Sequence, residues 1–175
     1  MFLSVKEMER RKVRFDETFA PGQIDFASED IEQTVPLHVT GSAELLENSE
    51  GEIRIQGKYS VEMEALCDRC LGRAQFPLDA SFDLFYRPMT DIAREEEVEI
   101  DEGEAEIGFY EDGGIELEGI LREQVVLALP MQRICRDDCK GICPTCGKNR
   151  NETACDCKVD HTHDRWRALG NLEIK

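Results

Sequence analysis

At 175 residues the chain has room for one ordinary core plus a small appendage, because compact domains run roughly 100–150 residues, so two large domains do not fit. With 41% hydrophobic and 34% charged residues it is too apolar to be disordered throughout, and no stretch approaches the roughly 20 apolar residues of a membrane helix. The net charge of −17 is uneven: residues 1–130 hold 12 Lys and Arg against 31 Asp and Glu, and residues 131–175 hold 9 against 7, so the first segment would repel a phosphate backbone and suits a basic protein partner.

In chain order, the opening stretch carries Lys6, Arg10, Arg11, Lys12 and Arg14 among acidic residues. It lacks the apolar core of a secretory signal, which predicts a cytoplasmic protein with no membrane segment. A strand near Val13–Phe19 is compatible with the pattern. Clear alternation of apolar and polar residues follows in Val35, Leu37, Val39, then in Ile53, Ile55, Tyr59, Val61, Met63, Ala65, and again from Phe76 to Tyr86. Such period-two segments read as half-buried strands, and the short connections predict an antiparallel β-meander.

From Asp91 to Glu118 acidic residues are dense, with Glu95-Glu96-Glu97, Glu99, Asp101-Glu102, Glu104 and Glu106 opposed by Arg94. A solvated loop is the ordinary reading of such a run, and a partner-binding tail is the alternative. Ile107–Tyr110 within it suits a short strand. Ile115, Leu117, Ile120, Leu121, Val125 and Ala128 then recur at helical spacing, with Glu116 and Glu118 placed to favour the positive helix start and Pro130 to end it. That apolar stripe should cover one face of the sheet. The expected fold class is therefore α+β: an antiparallel β-meander with one packing helix over residues 1–130, and a cysteine-rich zinc-binding module with a terminal helix over residues 131–175. The terminal helix begins near Asp164, its N-cap, and buries Trp166, Leu169 and Leu172.

The eight cysteines fall in two places, Cys67-Asp68-Arg69-Cys70 and the run Cys135, Cys139, Cys143, Cys146, Cys155, Cys157. Two thiolates separated by two residues converge on one ion when the chain makes a tight knuckle, and a following glycine eases that turn. Cys143-Pro144-Thr145-Cys146-Gly147 has this form, and Cys67 to Gly72 has it with the glycine one place later. In Cys155-Asp156-Cys157 an extended backbone puts both sulfurs on one side. The spacing points to a closed, structural zinc site from Cys143, Cys146, Cys155 and Cys157, and to a second from Cys67, Cys70, Cys135 and Cys139. A partition that moves Cys139 into the first set also satisfies the spacings. Four disulfides would suit an even count, but a reduced cytosol and the cramped Cys155-Asp156-Cys157 disfavour them. An iron–sulfur cluster fits the same ligands.

Redox catalysis by Cys67 and Cys70 is the competing functional class, although thioredoxin-like pairs open a helix and no helical pattern follows these. No nucleophile–base grouping, phosphate loop or isolated pair of carboxylates marks a hydrolase, a nucleotide site or a small-molecule substrate. His161 and His163 read as linker residues and His38 as a surface residue on a strand. Lys140, Lys148, Arg150, Arg133 and Arg136 around the cysteines could touch RNA phosphates, as in a zinc-ribbon RNA-binding module. They could equally offset the formal −2 charge of a four-thiolate zinc centre.

Leu129-Pro130, Cys135, the run Asp138-Cys139-Lys140-Gly141-Ile142-Cys143-Pro144-Thr145-Cys146-Gly147, Asn149, Asn151-Glu152, Cys155-Asp156-Cys157 and the closing Asp164-Arg165-Trp166 with Leu169 resemble the YceD family. Leu66-Cys67-Asp68-Arg69-Cys70-Leu71 matches that family's other motif, and only about the first thirty residues match weakly. The resemblance implies a non-enzymatic role in accumulation of large-subunit (23S) ribosomal RNA and in building the large subunit. A large-subunit precursor or a basic ribosomal protein would then be the partner, held by the acidic face around residues 91–118, with local rRNA contact possible at the tail.

Overall fold

The computed structural model describes residues 1–27, 30–47, 49, 51–89, 107–111 and 113–157. Among the described residues, eight strands and two helices run in the order β1 (Phe2–Ser4), α1 (Val5–Met8), β2 (Val13–Phe19), β3 (Ile31–Gln33), β4 (Leu37–Leu45), β5 (Ile53–Leu66), β6 (Arg73–Pro88), β7 (Ile107–Tyr110), β8 (Gly114–Glu116) and α2 (Leu117–Ala128). The described residues are mostly sheet with few helices, consistent with an α+β chain. No helix among the described residues is long and apolar enough to cross a membrane.

The expected meander is present as β4-β5-β6, antiparallel throughout, with Val39 opposite Tyr59 and Tyr59 opposite Ala80. Alternation explains it: Ile53, Ile55, Tyr59, Val61, Met63 and Ala65 are buried from one face of β5, while Lys58 and Ser60 are exposed from the other. The strand expected near Val13–Phe19 forms and pairs antiparallel with β4. Three features depart from a plain meander. Ile31–Gln33 pairs with the far end of β5, Ile107–Tyr110 joins β6 in parallel, and Phe2–Ser4 forms a separate two-stranded sheet with Gly114–Glu116. Val35 lies outside β4 and is 39% exposed, because the chain turns at Thr34–Pro36 before the ladder begins.

The helix is shorter at its start than the apolar spacing suggests. Ile115 belongs to β8, whose pairing with β1 holds the backbone extended until Glu116, and Glu116 is the N-cap without a side-chain capping bond. Leu117, Ile120, Leu121 and Val125 are buried in the main core as expected, whereas Ala128 is exposed where the helix runs past the sheet. The Tyr59 hydroxyl donates to the Gln124 carbonyl at 2.9 Å and ties α2 to β5. The predicted terminal helix with Asp164, Trp166, Leu169 and Leu172, the histidines His161 and His163, and the densest acidic run, Glu95–Glu106, lie outside the described residues.

Among the described residues, one small satellite cluster lies apart from the main core: Cys67, Cys70, Ala74 and Cys139, with Phe76 and Ile134 packed against it. Three of its four members are cysteines. Among the described residues, those after α2 therefore add little hydrocarbon to either cluster.

Candidate metal centres

The turn between β5 and β6 is built by main-chain bonds around sulfur. The Cys67 amide donates to the Gly72 carbonyl and the Leu71 amide to the Cys67 carbonyl, both at 2.8 Å, which curls Cys67-Asp68-Arg69-Cys70 into a knuckle at the sheet's end. The chain leaving α2 is brought to that knuckle by Asp68: its amide donates to the Arg133 carbonyl at 2.7 Å, and its carboxylate accepts from the Arg133 amide at 2.7 Å. This places Cys135, whose amide donates to Cys67 Sγ at 3.3 Å. A turn closed by the Cys139 amide on the Arg136 carbonyl, at 3.0 Å, then delivers Cys139.

The second group forms just beyond. Gly141 has a positive φ of 69°, and a Cβ on it would press within 2.9 Å of the Arg69 carbonyl, so only glycine fits comfortably where the tail crosses the first knuckle. The Ile142 amide takes that same Arg69 carbonyl at 2.9 Å. Cys143 to Gly147 repeats the knuckle, with the Gly147 amide on the Cys143 carbonyl at 2.8 Å and Gly147 at φ 70°. Ile142 bridges to Asn149, and Cys155 and Cys157 close the group from the other side.

The result is two groups of four thiols, Cys67, Cys70, Cys135 and Cys139, and Cys143, Cys146, Cys155 and Cys157, each with all its sulfurs within 4.8 Å of one another. Cys67 and Cys139 sulfurs lie 3.9 Å apart, and those of Cys70 and Cys135 3.8 Å. A tetrahedral ion with metal–sulfur bonds of about 2.3 Å sets its sulfurs about 3.8 Å apart, whereas a disulfide would hold them at about 2.0 Å. Both groups could therefore hold a metal ion. None of the eight cysteines is in a disulfide.

Each group is prepared for negative charge but cannot carry four charges unaided. Burial would push the Cys67 thiol up, but donation from the amides of Cys135, Cys70 and Arg69 outweighs it and pulls the thiol down to about 6. Cys143 is likewise held at about 6, chiefly by the Cys146 and Thr145 amides. The Asn151 side-chain amide is the main cause that lowers Cys139. Their neighbours move the other way: desolvation and then the thiols of Cys139 and Cys70 push Cys135 up to about 12, and the Cys146 thiol, then desolvation, pushes Cys157 up to about 12. A cation at the centre removes that mutual repulsion, which is the electrostatic reason for such a cage to take a metal.

The basic residues around the cages divide into two kinds. Arg133 lies 4.0 Å from Asp68, and Arg136 lies 3.1 Å from Asp138, while Lys140, Lys148 and Arg150 are exposed and make no ion pair among the described residues. His38 is on the surface, within 3.2 Å of Thr18 and 3.7 Å of Asp16. Three residues that matter here have no assigned role in the sequence reading: Asp68, Arg69 and Asn151. The one available signal was the pair Asn149 and Asn151 between cysteines, since asparagine there favours tight side-chain-to-backbone turns.

Comparison with known proteins gives these shapes a context. A protein of Bacillus subtilis (strain 168) described as uncharacterized protein YlbN is 27% identical over 168 residues, covering 95% of this chain and 91% of that protein. The uncharacterized protein Rv2926c of Mycobacterium tuberculosis is 38% identical over 103 residues, covering 57% of this chain and 45% of its own length. A maize protein named large ribosomal RNA subunit accumulation protein YCED homolog 1, chloroplastic, is 27% identical over 134 residues, covering 62% of this chain and 45% of its own. The chain thus spans nearly all of the first of these and about half of the other two. No solved structure matches. Residues 55–173 match the model of the large ribosomal RNA subunit accumulation protein YceD, and the chain belongs to that family.

Proposed function

We propose that this member of the YceD family supports accumulation of large-subunit ribosomal RNA as a non-enzymatic factor, in which two structural zinc ions brace a surface recognised by ribosomal components. The family supplies the role, and the observation that carries the mechanism is the closed geometry of the two thiol groups. Four sulfurs at tetrahedral spacing leave no open position for a substrate or an activated water. Zinc suits these cages better than an iron–sulfur cluster, because sulfurs 3.8–3.9 Å apart in the first group, and all within 4.8 Å of one another in the second, enclose one ion and not several.

In this reading residues 1–130 form the body and residues 131–175 a metal-held module, with Cys143, Cys146, Cys155 and Cys157 on one ion and Cys67, Cys70, Cys135 and Cys139 on the other. The redox alternative is weakened by burial: Cys67 is 0% exposed, and Cys70 is followed by strand β6 and not by a helix. The partner is a large-subunit precursor particle or a basic ribosomal protein in the cytoplasm. Charge supports this, since the acidic run Glu95–Glu106 and the net charge of −17 favour a basic surface and oppose naked RNA. Lys140, Lys148 and Arg150, unpaired among the described residues, leave room for local rRNA contact at the tail.

Depleting the protein from its host tests the proposal. Large-subunit rRNA should fall relative to small-subunit rRNA, and the wild-type gene should restore it, while Cys67→Ser with Cys143→Ser should not. Unchanged rRNA ratios on depletion would overturn the role. Full rescue by the cysteine variant would overturn the part assigned to zinc.

A further inference from the structure

One side chain bridges the two cages, beside the main-chain bond from the Ile142 amide to the Arg69 carbonyl. Asn151 lies between Cys146 and Cys155, two members of the second group, yet its side chain is spent on the first. Its Nδ2 donates to Cys139 Sγ at 3.3 Å, and its Oδ1 accepts from the Lys140 amide at 2.9 Å and from the Arg136 guanidinium at 3.1 Å. Asn149 fixes it from behind: Oδ1 of Asn149 accepts from the Asn151 amide at 3.0 Å and from Asn151 Nδ2 at 2.9 Å. The half-buried Asn151 thus clamps the turn that carries Cys139. A metal in the second cage pins the 147–154 stretch at both ends and holds Asn151 in place to do so.

The two groups also differ in the chain they must close. Cys143 to Cys157 is local, whereas the first group joins Cys67 to Cys139, 72 residues apart, and Cys70 to Cys135, 65 apart. Closing the longer loop costs more chain entropy, and a partner that holds one of the first cage's ligands in position lowers that cost. We infer that the two cages load cooperatively, metal in the second raising the affinity of the first, with Asn151 as the positioning residue that carries the coupling. The inference rests on the metal-binding reading above. By thermodynamic linkage, metal in the first cage raises the affinity of the second by the same factor.

Cobalt(II) titration of the full-length, metal-stripped protein tests this, with thiolate-to-cobalt absorption reporting each cage. Asn151→Leu keeps all eight sulfurs and removes the hydrogen bonds, and Cys146→Ser with Cys157→Ser empties the second cage. Either change is expected to weaken the first cage by about 10–100-fold, the usual effect of losing a group that orients a metal ligand. Once Asn151 is leucine, emptying the second cage should cost the first nothing more. First-cage affinity that ignores the second cage, or coupling that survives Asn151→Leu, would overturn the inference while leaving metal binding intact. Failure of the wild-type protein to bind cobalt at either cage would overturn the metal reading itself, and the coupling with it.

Discussion

Leu71 and Gly147 hold the same place in the two knuckles, one residue after the second cysteine, and both have positive φ, 58° and 70°. Glycine adopts that conformation freely and leucine does not. Leu71 is 60% exposed and belongs to no buried cluster, so no packing compensates the strain. The left-handed conformation costs a non-glycine residue about 1–2 kcal/mol, and glycine's greater chain entropy offsets about 0.5–1 of it. Leu71→Gly is therefore expected to stabilise the metal-loaded protein by about 0.5–1 kcal/mol, seen as a higher denaturant midpoint at unchanged slope. A lower midpoint would show that the leucine does useful packing. Asp83 offers a second test at this scale. Arg54 donates to both its oxygens, at 2.9 and 2.7 Å, and together with Gln56 holds its carboxyl at about 2 instead of 3.8. A depressed carboxyl stabilises the fold above its ordinary value, and that contribution disappears as pH falls from 3.8 through about 2. With the side chain 43% exposed, the contribution is small. Arg54→Ala should return the Asp83 midpoint toward 3.8 in a carboxyl NMR titration, and an unmoved midpoint would remove Arg54 as the cause. The cysteines were legible at this scale because knuckle spacing is local chemistry. Asn151 was not, because its role exists only after Cys139 has been brought back to it.

Among the elements, the long strands announced themselves. In β5, fourteen residues alternate with few exceptions, and that pattern is the burial of one sheet face written in sequence. The three-residue strands β1, β3 and β8 are too short to show a period, and their pairing depends on partners far along the chain. The parallel pairing of β7 was hidden for the same reason: its connection from β6 crosses residues 89–106, and no local pattern sets strand direction. At α2 the helical period was right and the boundary was not, since Ile115 satisfies an apolar position in either conformation and pairing with Leu3 decides for strand. The helix belongs to the main core through Leu121, which is 0% exposed. Leu121→Ala is expected to destabilise the protein by about 2–5 kcal/mol, measured by thermal or denaturant unfolding. A cost under about 1 kcal/mol would mean that α2 is only loosely seated.

For the whole molecule, the proposed metal ions would act where the two proposed parts differ most. The sheet and α2 share a continuous hydrophobic core, while the described residues beyond Pro130 contribute Cys139 and, at the margin, Ile134 to the satellite cluster. Structural zinc contributes about 10–16 kcal/mol of apparent binding energy in small peptides, far more than so little hydrocarbon can supply. The acidic body and near-neutral tail also set how partners are met. Association with a basic surface should be steered at long range and weaken with salt, whereas the metal-held shape should not. The most direct measurement of this account is amide hydrogen exchange on the purified protein, with its zinc counted, before and after the metal is stripped by a chelator. Two zinc ions per chain are expected, and their removal should expose the amides of Cys135, Cys139, Ile142, Cys143 and Gly147 while β4, β5 and β6 stay protected. A protein that is metal-free as purified, with those same amides already protected, would contradict it.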